Sequence, residues 1–255
     1  MKIKALFVGV VTALLMTSCA TEVRLAKQFV GQSKQIKAAV YFPEKAKVTL
    51  IQNEDGEYTK VLDSLNQDVF LDIIYASYVE AMGRYGIKVY VPESSDEVPV
   101  DSAQWLVELS QMEIQGLFTD YVEYYYDLTE EYEYSFPLNT VNVASWFDID
   151  DGTWHPTVFC EHNLRDDFRS KVVRGTDGYQ YYHESKTITV EDIYNYAVFL
   201  GRLYADYTYN DMMNRYINNQ MGKNNLRPRF KLRWDPEDKS FSFQEEEEGF
   251  VEVES

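Results

Sequence analysis

The sequence predicts an α+β domain in which helices pack on one face of a mainly antiparallel sheet. Apolar residues recur at helical spacing in two segments, near residues 62–76 and 193–217. Short apolar–polar alternations bounded by turn residues lie around and between them, as strands do. The resulting order is strand, helix, strand, several antiparallel strands and then a long helix, which is typical of the α+β class.

A helix that starts near residue 64 is the best-defined element of the first half. The pattern Ser64–Gln67 fits a capping box, apolar residues follow at helical spacing, and Gly83 and Gly86 mark the end. The other elements predicted here are strands at 36–42, 48–52 and 87–91.

Between residues 103 and 161 the sequence predicts a series of strands. The turn signal Asp148–Gly152 joins a strand to its hairpin partner. The Tyr/Glu-rich segment 120–133 is either strand or an exposed loop, and the poorly periodic residues 163–186 are read as a long loop or an excursion. Strands are predicted from about 103 through 114 and at 141–147, 153–161, 230–234 and 241–243.

The helix from about Val190 is predicted to be the main brace of the domain. Thr189 is a plausible N-cap, and a clean apolar stripe follows it. Leu200 lies in the middle of that stripe and should be buried. Asp206 lies beside the stripe on the wetter side and should tolerate alanine. The stripe consists of Ile193, Tyr196, Ala197, Leu200, Leu203, Tyr204 and Tyr207.

The N-terminus has the pattern of an export signal. Lys2 and Lys4 precede an apolar run of about twelve residues, which is shorter than the roughly twenty needed to span a bilayer. The run ends in Leu15-Met16-Thr17-Ser18-Cys19, which resembles the lipobox of bacterial lipoproteins. That resemblance implies cleavage before Cys19 and lipid attachment to it. Because an alanine follows the cysteine, it also implies the outer membrane, and we expect the periplasmic face.

These features divide the chain into a signal peptide at 1–18, a lipidated and partly helical tether at 19–36, a single α+β domain at 37–235 and an acidic tail at 236–255. We expect the end of the tail to be disordered. The order of elements is similar to that of penicillin-binding-protein activators and of the N-terminal domain of TolB. The acidic, tyrosine-rich character also resembles lipoproteins of Bacteroides-type bacteria.

Composition excludes one class of partner. The formal net charge is -18, and such a surface repels nucleic acid and anionic lipid head groups. The 21 tyrosines could form a glycan or peptide platform, but strand tyrosines with one packed face explain them more simply.

No catalytic, cofactor-binding or metal-ligating residue is indicated. His155, Cys160 and His162 are zinc-ligand types, but on one strand His155 would face away from the other two. With Cys19 lipidated, Cys160 would lack a disulfide partner and is expected to be buried. Asp148–Gly152 lacks the glutamate that a calcium loop needs and is read as a turn. Nucleophile-elbow and phosphate-loop motifs are absent from the sequence.

Three hypotheses about function remain open. The leading one is a non-catalytic accessory or assembly lipoprotein that docks on an envelope protein or polymer. The alternatives are an enzyme of unrecognised family acting on glycans and a surface glycan-binding lipoprotein. Facing carboxylates in a deep pocket would favour the enzyme, a flat tyrosine strip the glycan binder, and an apolar groove or sheet edge the docking protein.

Overall fold

The computed structural model describes residues 20–90, 105–126, 131–152, 157–175, 178–222, 231–244 and 249–253. Within these ranges it describes the side chains too, except at 119–137 and 168–185. The helices are α1 over 20–32, α2 over Gln67–Arg84 and α3 over Val190–Gln220. The strands are β1 Lys37–Tyr41, β2 Lys47–Ile51, β3 Lys88–Tyr90, β4 Trp105–Tyr126, β5 Glu131–Asp150, β6 Thr157–Arg165, β7 Asp167–Gly175, β8 Gly178–Lys186, β9 Lys231–Asp235, β10 Ser240–Gln244 and β11 Phe250–Val253.

The main sheet has seven strands, and its path runs β11-β6-β5-β4-β1-β3, with β2 also paired to β4. The four strands from β11 to β4 pair antiparallel, whereas β1, β2 and β3 pair parallel. β1 and β2 follow one another along the same edge of β4. The predicted α+β class and mainly antiparallel sheet are therefore confirmed.

Helices cover one face of this sheet. Along β5 the buried positions alternate from Val141 to Ile149, as expected when one face packs and the other does not. The Tyr204 hydroxyl of α3 lies 2.6 Å from the Ser145 hydroxyl, so α3 contacts this face. Leu200 of α3 is fully buried, and the prediction that it lies in the core is confirmed.

The helices α2 and α3 cross at Gly201. A Cβ atom placed on this glycine would lie 2.3 Å from the Ile74 carbonyl oxygen and 3.0 Å from the Tyr78 backbone nitrogen. Only a residue without a side chain lets the two backbones approach this closely. The position of Arg202, the next residue along α3, is therefore tied to this crossing.

Residues 20–32 belong to the predicted tether, for which partial helix is expected, and they form helix α1, which is packed on the domain and is not a free tether. Its Leu25, Ala26 and Phe29 are buried in the core. The Phe29 ring lies 5.5 Å from both Tyr209 and Tyr216 of α3. This part of the chain is thus packed on the domain, because a few apolar residues on one helix face suffice to dock it.

The predicted start of α2 is two residues too early. Ser64 ends a short 3-10 turn, and the N-cap is Asn66, whose side-chain oxygen accepts hydrogen bonds from the backbone nitrogens of Asp68 and Val69. Asparagine caps helices as well as serine does, so the sequence offered two equivalent starts. Thr189 is the N-cap of α3, as predicted, with Asp192 completing a capping box.

Of the two alternatives predicted for 163–186, the loop is wrong, because the end of β6 and the β7–β8 hairpin occupy it, and this hairpin is an excursion that forms a two-stranded sheet separate from the main one. Tyrosine and valine favour strands even without the alternation that marks a buried face. The segment 120–133 is strand where it is described, at the far end of the long β4–β5 pair. The described part of the partner of β5 runs from Thr157, and the predicted start at residue 153 lies outside the described residues.

Disorder at the end of the tail is also wrong for Phe250–Val253, which pair with β6 as β11. The alternation of apolar and acidic residues in this segment is a short strand pattern that the neighbouring glutamates obscured. Glu245–Glu248 themselves lie outside the described residues. Among the described helices, none combines the length and apolarity needed to span a membrane.

Candidate binding cleft

A cleft of about 300 Å³ opens where the end of α2, the middle of α3 and the β9–β10 hairpin meet. This is the lower end of the size range of small-ligand sites. Its lining is Ala81, Arg84, Tyr85, Phe199, Arg202, Leu203, Asp206, Arg233, Trp234, Asp235, Pro236 and Glu237.

Two buried asparagines of α3 hold β9 beside the cleft. The Asn214 side chain accepts a hydrogen bond from the Leu232 backbone nitrogen at 2.9 Å and donates one to the Leu232 carbonyl at 2.8 Å. One helical turn earlier, the Asn210 side-chain oxygen accepts a hydrogen bond from the Trp234 backbone nitrogen at 2.9 Å. These amides satisfy the backbone of β9 as a neighbouring strand would, and so fix Arg233 and Trp234 against α3.

Asp206 links the three elements of the cleft. Its carboxylate accepts a hydrogen bond from the Tyr85 hydroxyl, just after α2, and pairs with the Arg233 guanidinium of β9. Burial raises the pKa of Tyr85 well above its ordinary value, and the neighbouring Asp206 carboxylate adds a smaller effect in the same direction. The Tyr85 hydroxyl therefore keeps its proton and donates it to Asp206 in a hydrogen bond. Because alanine would remove the acceptor of both partners, the structure argues against the prediction that Asp206 tolerates alanine.

The three arginines of the cleft differ in their partners. Arg233 pairs with Asp206, and Arg84 pairs with Glu80 at 2.6 Å, one helical turn away. Arg202 is exposed and forms no ion pair within 4.0 Å among the residues that the structure describes. It interacts electrostatically with Glu80, whose pKa it helps to lower, after the larger effect of Arg84. Arg202 is therefore the guanidinium most available to a ligand.

Two of the three acids that line the cleft, Asp206 and Asp235, are poorly suited to donate a proton. The Asp235 carboxylate accepts hydrogen bonds from the backbone nitrogens of Glu237 and Asp238, at 2.8 and 3.1 Å. These bonds lower the pKa of Asp235, which therefore stays ionised. A general acid needs the opposite shift. Asp206 is engaged on both sides, as described above.

Aromatic and apolar groups make up much of the remaining lining. Phe199 is 49% exposed, a high value for a phenylalanine. Trp234 packs at a tilt on Phe241, with ring centroids 4.6 Å apart, which supports the indole from behind. Leu203 and Pro236 complete the apolar lining. The cleft thus offers apolar surface beside a guanidinium.

The residues that the sequence indicates as candidates for lipidation or zinc binding are not among the described residues that line the cleft. Cys19 and His155 are outside the described residues. Cys160 is buried on β6, as predicted, and burial raises the pKa of its thiol, so it is not a nucleophile at neutral pH. His162 packs near Phe199 and Phe250. Within the described ranges, no group of three or more His, Cys, Asp or Glu residues is placed to hold a metal.

A carboxyl group with a raised pKa can mark an active site, and Asp211 on α3 has one because it is buried. It does not line the cleft. The Arg215 guanidinium lies 2.8 Å from it and also donates a hydrogen bond to the Ile149 carbonyl of β5 at 2.7 Å. This pair therefore joins α3 to the sheet inside the domain.

No protein-family model and no curated protein matches the sequence. Among solved structures, the fold is distantly similar to a Helicobacter pylori protein that is named as a neuraminyllactose-binding hemagglutinin homolog. The sequence identity is 13%, the TM-score is 0.37, and the match covers 72% of this chain and 91% of that one. Similarity at this level does not carry over to residues or ligands. The similarity of element order to penicillin-binding-protein activators and TolB stays a prediction.

Proposed function

We propose that this chain is a lipid-anchored, non-catalytic accessory protein of the outer membrane, which binds an envelope partner through the cleft. The single observation that carries the binding role is the arrangement inside the cleft. The Arg202 guanidinium, which forms no ion pair within 4.0 Å among the described residues, and the exposed Phe199 ring line the same space, and such a surface can hold a ligand. Of the lining carboxylates, those of Asp206 and Asp235 are engaged by other groups of the protein, which leaves Glu237, whereas glycoside hydrolysis needs two carboxyl groups.

The proposed anchor rests on the sequence. The lipobox-like residues before Cys19 support cleavage there, and Ala20 supports the outer membrane. Replacing Cys19 with serine should abolish acyl labelling and release the protein from the membrane fraction. Unchanged membrane association of the serine variant would contradict the anchor. Removal of the protein by protease added to intact cells would contradict the periplasmic orientation.

The binding role is tested by crosslinking in intact cells that express the full chain with a C-terminal affinity tag. After solubilisation, the captured envelope components are compared for the wild type, Arg202→Glu and Arg165→Glu. Arg165 is an exposed arginine on β6 that does not line the cleft, so it is a matched control. We expect a component that the wild type and Arg165→Glu capture and Arg202→Glu loses. The same components captured by all three proteins would contradict binding through the cleft.

A glycan-hydrolysing enzyme is the second candidate, and it makes a different prediction. The purified full chain would then release reducing sugar ends from envelope polysaccharides, and Asp206→Asn or Glu237→Gln would abolish that release. The engaged state of Asp206 and the lowered pKa of Asp235 favour binding over this alternative.

A further inference from the structure

The lining of the cleft indicates the chemical class of its ligand. We infer that the cleft binds a short acidic and apolar peptide segment of the partner, with a carboxylate on Arg202 and an apolar side chain on Phe199 and Leu203. This inference rests on the proposed function, because it names the ligand of the same site.

The guanidinium of Arg202 is the first argument. Its fork of donors matches the two oxygens of a carboxylate, which a single ammonium group cannot do as well. The other two arginines of the cleft are paired within the protein. A ligand carboxylate therefore meets one available guanidinium, and a second one only by displacing an acid of the protein.

The apolar lining is the second argument. Phe199 is 49% exposed, and Ala81, Leu203 and Pro236 lie around the same space. Covering this surface with the apolar side chain of a ligand removes it from water, which is favourable at about 25 cal/mol per Å². An acidic residue next to an apolar one would satisfy both parts of the lining.

The apolar lining also separates a peptide from a sugar. Phe199, Leu203 and Pro236 offer surface for an apolar side chain beside a carboxylate bound to Arg202. A peptide can place an aliphatic side chain next to an acidic one, whereas a sugar carries hydroxyl groups around its ring and has no such side chain.

Glu237 sets a limit on where the acid of the ligand lies. Its exposed side chain is part of the cleft lining and would repel a second carboxylate at its end of the cleft. The acid of the ligand is thus expected beside Arg202, and removing the charge of Glu237 should tighten binding of an acidic ligand.

The test uses the detergent-solubilised full chain and a rhodamine-labelled hexapeptide that carries one glutamate–leucine pair flanked by glycines, and it follows binding by fluorescence anisotropy. We expect saturable binding that weakens in high salt and that falls at least roughly tenfold when glutamine replaces glutamate in the peptide. Arg202→Glu should weaken it by a similar factor, Arg202→Lys by less, and Arg165→Glu not at all. Glu237→Gln should strengthen it.

Equal binding of the glutamate and glutamine peptides, or unchanged binding by a folded Arg202→Glu variant, would overturn the inference. The inference would also be overturned if a glucuronic acid disaccharide bound in an Arg202-dependent way and the peptide did not bind. Urea melts confirm that each variant is folded. If the peptide fails while capture in cells still depends on Arg202, the ligand class is wrong and the binding role stands. If capture also becomes independent of Arg202, the proposed function fails as well.

Discussion

The α2–α3 crossing makes a quantitative prediction about two glycines. The Cβ atom of Gly201→Ala would lie 2.3 Å from the Ile74 carbonyl oxygen, whereas carbon and carbonyl oxygen normally approach to about 3.3 Å. The helices would have to separate by roughly 1 Å. Overpacking of this kind costs typically about 1–3 kcal/mol, and the backbone contact places this site at the upper end. The higher helix propensity of alanine returns about 1 kcal/mol. The net loss is about 2 kcal/mol.

Gly83→Ala is the matched control. This glycine lies in α2, and nothing is within 4 Å of the position that its Cβ would take. Alanine should therefore stabilise the protein by roughly 0.5 kcal/mol through helix propensity alone. Urea unfolding followed by circular dichroism measures both variants. If Gly201→Ala were as stable as Gly83→Ala, the two helices would not be in backbone contact, and the description of the crossing would be wrong.

Three further predictions concern α3. Leu200→Ala should destabilise the protein by about 2–5 kcal/mol in urea melts, as buried leucine truncations do, and a neutral result would mean that the stripe is exposed. Asp206→Ala should lower the free energy of unfolding by about 1–2 kcal/mol, because it leaves Tyr85 and Arg233 without their acceptor. A change below about 0.5 kcal/mol would show that Asp206 is a tolerant surface residue. The Thr189 hydroxyl, followed by Lys186, lowers the pKa of Asp192 from its ordinary 3.8 to about 2. Since the pKa of Asp192 is depressed in the folded state, the stability that this cap contributes is present above about pH 4 and is lost as the pH falls toward 2. When thermal unfolding is measured over this pH range, the loss of stability should be smaller in Thr189→Ala than in the wild type.

The sequence predicted elements whose pattern is local. The stripe through Ala197 and Leu200 has helical period and faces the core, and the Thr189 cap has a recognisable signature. The hairpin at 167–186 was missed because its strands carry no alternation of apolar and polar residues. The N-cap of α2 was misplaced because Ser64 and Asn66 are equally good caps. Local sequence pattern was therefore enough to predict the fold class. It could not place an element or its boundary where two alternatives fitted the local sequence equally well.

The cleft could not be predicted, because its residues come together only through long-range contacts. Arg84, Arg202 and Arg233 are far apart in sequence and lie in three different elements. Asn210 and Asn214 carry a usable signal: two amides one helical turn apart lie on the same side of the predicted helix, and they need partners if that side is buried. That spacing indicates a backbone docked on α3, although it does not identify β9 as that backbone.

The crossing and the cleft are mechanically linked, because Gly201 and Arg202 are consecutive. On an α-helix, neighbouring side chains point about 100° apart, so Gly201 faces α2 while Arg202 faces the cleft beside it. Separating the helices by roughly 1 Å would move Arg202 away from the end of α2, where Arg84 and Tyr85 lie. We therefore expect Gly201→Ala to weaken peptide binding even under conditions in which it is fully folded, while Leu200→Ala, which leaves Gly201 at the crossing, should affect binding less. Anisotropy titrations at low temperature compare the two. Equal loss of affinity in both variants would show that binding follows overall stability and not the width of the cleft.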